Sequence, residues 1–85
     1  MTTRDRIADY APGALLADGF DDAIIGVAER CGQPTLVAYD RCRCIDILVA
    51  QGMSREDAEE YFEFNVAGAW VGEQTPVWID TRIAD

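Results

Sequence analysis

The sequence predicts a small α+β domain, three main helices packed on a short two-stranded sheet in the rough order α-β-α-α-β. Three observations lead there. Apolar residues recur at helical spacing in three stretches. Two short runs rich in β-branched and aromatic residues are bounded by proline and aspartate. Glycines and cap residues fall at the ends of these segments. At 85 residues the chain reads as one domain, and a hydrophobic content of 49% is ample for a core.

Residues 1–14 read as a loosely attached N-terminal segment, followed by a single domain over 15–85. Within the segment, Arg4 to Tyr10 suits a short helical turn that Pro12-Gly13 interrupts. Phe20, Ile24, Val27, Ala28 and Cys31 follow the spacing of one apolar helix face, which places the first main helix at Phe20 to Cys31. Asp18, Asp21 and Asp22 surround its start, where negative charge suits the helix dipole. Gly32 stands as its C′ residue and Pro34 blocks continuation. Gly26 inside it weakens the helix by about 1 kcal/mol.

Thr35 to Tyr39 reads as a strand. Asp40 is a good N-cap for a second helix, Arg41 to Gln51, with Ile45, Leu48 and Val49 on its apolar face and Gly52 as its stop. Ser54, followed three residues later by Asp57, opens a third helix that is expected to run to about Ala69. Its core face is read as Ala58, Tyr61, Phe62, Asn65 and Val66. Val77-Trp78-Ile79 reads as a second strand, paired with Leu36 to Tyr39. Two short strands alone are marginal, so either helix packing carries the fold or an edge strand pairs with another chain.

Charge narrows the function. The chain has no histidine, and its seven cationic residues are all arginine, against 16 acids, for a formal charge of -9. Bare nucleic acid and anionic membranes are poor ligands for such a protein. A protein with a basic surface is the natural partner. No apolar run of membrane-spanning length appears, and the N-terminal residues lack the pattern of a secretion signal, so a cytoplasmic location is expected. Cys31, Cys42 and Cys44 read as reduced thiols: the count is odd, and Cys42-Arg43-Cys44 is too closely spaced for a usual zinc pair. No metal or cofactor is expected.

Glu56, Asp57, Glu59, Glu60 and Glu63 crowd one segment, with Glu56, Glu59, Glu60 and Glu63 on one side of a helix. Five like-charged pairs at helical spacing each cost about 0.2–0.5 kcal/mol, and no lysine answers them at i+4. The strip is either a solvated face or a docking surface for cationic groups. Its carboxylates recur every ~4.5–6 Å of helix rise, near phosphate spacing, so nucleic-acid mimicry is geometrically open. Neutralisation by Arg41, Arg43 or Arg82 would remove the docking reading. Phe64 falls toward the acidic side, about 200° from Phe62, and exposed beside Glu60 and Glu63 it would serve as an anchor of a protein-binding patch. Trp70 and Trp78 either anchor a thin core or leave one indole at an interface. The candidate partner-binding set is therefore Glu56, Glu59, Glu60, Glu63 and Phe64.

Enzymatic chemistry is not expected. Serine and cysteine nucleophiles need a positioned base, usually histidine. The glycines form no phosphate-cradling motif.

The segments Gly19-Phe20-Asp21-Asp22-Ala23-Ile24-Ile25-Gly26, Arg30-Cys31-Gly32-Gln33-Pro34, Gln51-Gly52-Met53-Ser54 and Glu60-Tyr61-Phe62-Glu63-Phe64-Asn65 through Thr75-Pro76 resemble a family of small acidic proteins encoded by tailed bacteriophages. The resemblance spans residues 19–79 and implies expression in the cytoplasm of an infected bacterium. The family has no established activity, so no residue role carries over. By analogy with small acidic phage proteins as a class, the expected function is non-enzymatic inhibition of a host protein, in its most concrete form as an anti-CRISPR or nucleic-acid mimic. The alternative is a homo-oligomeric assembly module of a phage, a homodimer for example, joined through an edge strand or the Trp78 surface.

Overall fold

The computed structural model describes residues 2–83; Met1, Ala84 and Asp85, which the expected domain bounds include, lie outside them. The architecture is α+β. Helix α1 (Thr3–Tyr10) precedes a 3-10 turn (Asp21–Ala23) that leads into β1 (Ile24–Ala28). Next come β2 (Leu36–Asp40), α2 (Arg41–Ala50), α3 (Arg55–Tyr61), a π-helical turn (Phe62–Ala67), β3 (Val77–Ile79) and a last 3-10 turn (Thr81–Ile83).

The expected two-stranded sheet is corrected to three strands, in the order β1-β2-β3. The expected helix over Phe20–Cys31 does not form; that stretch holds β1 and the start of a hairpin. β1 pairs antiparallel with β2, Val27 opposite Val37 and Ala28 opposite Leu36, with a bulge between Ile24 and Gly26. The apolar spacing that suits a helix also suits a strand this short. Ile24, Ile25 and Val27 are β-branched, and Gly26 is a poor helix residue. Gly32 serves the hairpin turn rather than a helix end: its φ is +78°, and Gln33 N–H donates to the Arg30 carbonyl at 2.9 Å.

β2 is the central strand, and Val37, Ala38 and Tyr39 are all buried, as expected of a strand covered on both faces. β3 joins it in parallel, Tyr39 opposite Trp78. A parallel partner needs a crossover, and α2, α3 and the π turn supply it. Asp40 caps α2 as expected, accepting from the Cys42 and Arg43 N–H groups at 3.0 and 3.3 Å. Ser54 Oγ caps α3, accepting from Asp57 N–H at 3.1 Å.

The N-terminal segment is held more firmly than its sequence suggests. Thr2 and Asp5 form a reciprocal capping box, and Ile7 is 6% exposed within the core cluster. Arg4 ties α1 to the chain beyond it through Asp18 at 2.9 Å and Asp21 at 2.7 Å. The core centres on Val37, Tyr39, Cys44, Ala58 and Phe62, each fully buried. The Tyr39 hydroxyl is satisfied by accepting from Ala17 N–H at 2.7 Å. Among the described residues no helix is long and apolar enough to cross a membrane.

Candidate functional site

The site grows out of one column of side chains. Tyr39 lies 5.1 Å from Trp78, ring centre to ring centre. Trp78 meets Phe62 edge-on at 5.2 Å, and Arg41 stacks over Phe62, also at 5.2 Å. Arg41 then donates to the Glu63 carboxylate. Each ring pair adds about 0.5–1.5 kcal/mol beyond its buried area. The column fixes Phe62 at the start of the π turn, and with it the path of residues 63–67.

The third helix leaves α geometry at Phe62. It runs as α-helix only to Tyr61, then widens through Phe62–Ala67, short of the expected Ala69. Single π turns of this kind are rare and occur frequently at functional sites. Gly68 ends the turn under steric demand: a Cβ there would sit 2.9 Å from the Glu63 carbonyl oxygen. Ala58 and Phe62 face inward as expected, whereas Tyr61 and Asn65, assigned to the core face from sequence, are exposed. Tyr61 becomes part of the surface.

That surface is apolar in its middle. Phe64 is 77% exposed and Trp70 is 74% exposed. The two tryptophans therefore separate: Trp78 packs against the core cluster, and Trp70 stands in water. Trp70 and Val71 are carried by a pinned loop. Val71 N–H donates to Thr75 Oγ1 at 2.9 Å, and that hydroxyl donates to the Gly72 carbonyl at 2.7 Å. Gly72 adopts φ +125°, a conformation that favours glycine. Leu15 N–H donates to the Gln74 carbonyl at 3.3 Å, tying the loop to the segment before β1.

The predicted acidic strip divides. Glu63 is paired with Arg41, one of the neutralisations that would remove the docking reading, so that reading loses Glu63 as an uncompensated anion and rests on Glu56, Glu59 and Glu60. Glu63 lies in the π turn and Arg41 in the first turn of α2, so the pair joins the two elements. Glu56, Glu59 and Glu60 are exposed and form no ion pair among the described residues. Glu59 nevertheless lies in the field of Arg55 and Arg82, whose guanidinium groups are held mainly by Asp46 and Asp80. Glu60 and Asp57 line a shallow hollow with Tyr61, Phe64 and Asn65. Sequence reasoning placed Glu60 and Phe64 in the site but left out Asp57, Tyr61 and Trp70. Asp57 was visible in the charge run; Tyr61 was assigned to the core face, and nothing local marks Trp70 rather than Trp78 as the exposed indole.

A groove of about 300 Å³ adjoins this hollow, with Leu16, Val66, Val71, Pro76 and Trp78 among its lining residues. Groove and hollow share Tyr61 and Asn65. The arrangement can dock a protein through apolar contact at its middle and carboxylates at its rim.

The thiols stand apart from this surface in kind. Cys44 is fully buried, which pushes its thiol up to about 12, while Cys31 is exposed. Among the described residues no group of three or more histidine, cysteine, aspartate or glutamate side chains is placed to hold a metal ion. No protein-family model, curated protein or solved structure matches the chain.

Proposed function

We propose that the chain is a non-enzymatic accessory protein of a tailed bacteriophage that binds and inhibits a host protein through its acidic, aromatic surface. The partner is a host protein with a basic surface, in its most concrete form the nucleic-acid channel of a CRISPR effector or another nucleic-acid-binding complex. The protein acts in the host bacterial cytoplasm.

One observation carries this reading: Phe64, 77% exposed, shares a hollow with Asp57 and Glu60, neither of which is in an ion pair among the described residues, and Trp70 is exposed as well. Aromatic side chains are enriched at protein interfaces, with charged and polar groups at the rim. The acids would speed encounter and set orientation, and the rings would supply affinity. The absence of histidine and the sequence resemblance support the non-enzymatic and phage parts of the reading.

Affinity capture from lysate of phage-infected bacteria tests it. The wild type should recover a basic host protein at low salt, and recovery should fall as salt rises, because exposed charges are screened within about 10 Å at 0.1 M. The triple variant Glu56→Lys, Glu59→Lys, Glu60→Lys should recover none. Equal recovery by both removes the acidic face from the reading.

The second reading, a homo-oligomeric assembly module, draws on the free edge of β1, where Ile25 is 53% exposed. The bulge at that position disfavours strand addition. Trp78, its other candidate contact, is partly buried against the core and keeps a face on the groove.

A further inference from the structure

We infer that the docking surface accepts a protein segment in which arginines flank a leucine-sized apolar side chain. The apolar side chain enters the groove over Trp78 and Val66, and an arginine lies on Tyr61 or Phe64 and pairs with Glu60 or Asp57. This rests on the reading just given and narrows its partner to one chemistry.

Four observations support it. The groove and the acidic hollow are continuous through Tyr61 and Asn65, so one short segment can reach both. No arginine lines either of them; of their three acids Asp18 is already engaged by Arg4, whereas Asp57 and Glu60 have no ion-pair partner among the described residues. At about 300 Å³ the groove lies at the small end of ligand pockets, suited to one side chain rather than a cofactor. The pinned 71–75 loop presents Val71 in an ordered setting, so little ordering is left to oppose binding.

The choice of arginine over lysine comes from a pattern the protein already uses. Arg41 stacks on Phe62 and donates to Glu63, the acid next in sequence. Tyr61 and Phe64, with Glu60, offer the same two kinds of group on the outer face, without an arginine of this chain upon them. A guanidinium can stack and pair at once, whereas an ammonium is a compact, strongly hydrated point charge. A second copy of this chain is a poor occupant, because its matching surface brings acids against acids.

The test is a nuclear magnetic resonance titration of the ¹⁵N-labelled protein with three capped hexapeptides: Arg-Leu-Arg-Arg-Leu-Arg, its lysine counterpart Lys-Leu-Lys-Lys-Leu-Lys, and the leucine-free Arg-Ser-Arg-Arg-Ser-Arg. The first should shift Tyr61, Phe64, Val71 and the Trp78 indole signal, and bind at least about threefold tighter than the other two. Glu60→Gln and Phe64→Ser, both at exposed positions, should each weaken it by about threefold or more. Equal binding of the three peptides, shifts confined to other faces, or no shift at millimolar peptide overturns the inference. So do concentration-dependent shifts of these residues without peptide, which would assign the surface to a second copy. If the peptides fail while lysate capture still depends on Glu56, Glu59 and Glu60, the inhibitor reading stands and only this occupant is lost. If capture fails too, both go.

Discussion

Arg41 and Glu63 join the first turn of α2 to the π-helical turn, and the same guanidinium stacks 5.2 Å from the Phe62 ring centre. Arg41 is largely covered, its side chain 18% exposed, while Glu63 is 61% exposed. The contact is thus a strut between two elements, with most of its value in the stacking. Arg41→Met should lower stability by about 0.7–2 kcal/mol, from about 0.2–1 for the ion pair and 0.5–1 for the cation–π contact. Glu63→Gln should cost less than half of that. Thermal unfolding checks both, at about 4–8 °C per kcal/mol for a domain of this size.

The π turn depends on Gly68. Gly68→Ala places a methyl group 2.9 Å from the Glu63 carbonyl oxygen, a backbone atom that cannot swing away. Overpacking of this kind costs about 1–3 kcal/mol. Gly26→Ala is the matched control: its new Cβ meets nothing within 4 Å, and removing a strand glycine should stabilise by about 0.4–1 kcal/mol. Urea unfolding of the two variants should move in opposite directions.

Thiol reactivity should track burial. Cys31 is exposed, Cys42 half-buried and Cys44 fully buried, with its thiol pushed up to about 12 chiefly by loss of hydration. At about pH 8 a chromogenic disulfide reagent should label Cys31 first and Cys42 more slowly, and should reach Cys44 only as the protein unfolds. Rapid labelling of Cys44 in native protein would show that α2 is not packed as described.

Asp80 sets an acid-side dependence. Its carboxylate accepts from the Arg82 side chain and from Arg82 N–H, which together lower it from the ordinary 3.8 to about 2. A group depressed in the folded state stabilises the fold above its unfolded value. Its contribution should therefore be complete above about pH 4 and disappear as the pH falls toward 2. Carboxyl nuclear magnetic resonance should give an Asp80 midpoint near 2 in the wild type. In Arg82→Gln it should move back up toward 3.8.

Legibility in the sequence depended on the strength of local signals. Asp40 and Ser54 announce α2 and α3 because their side chains can do little else as well as cap a helix. β2 and β3, with their pairing, were readable from two apolar runs with clear bounds. β1 was not, because Phe20, Ile24, Val27 and Ala28 match a helix face and a short strand equally, and the pairing of Val27 with Val37 decides between them. The acidic strip was readable as a run of charge. Its division was not: nothing local says that the helix widens at Phe62 or that Glu63, within that widened turn, pairs with Arg41.

The central claim is that the Phe64 and Trp70 surface meets a host protein. Site-specific photo-crosslinking inside the infected bacterium tests it most directly, with a photoreactive amino acid replacing Phe64, Trp70 or, as the control on the free edge of β1, Ile25. Adducts to one basic host protein from positions 64 and 70, and none from position 25, are the expected result. Adducts from position 25 alone, or only between copies of the chain, would contradict it.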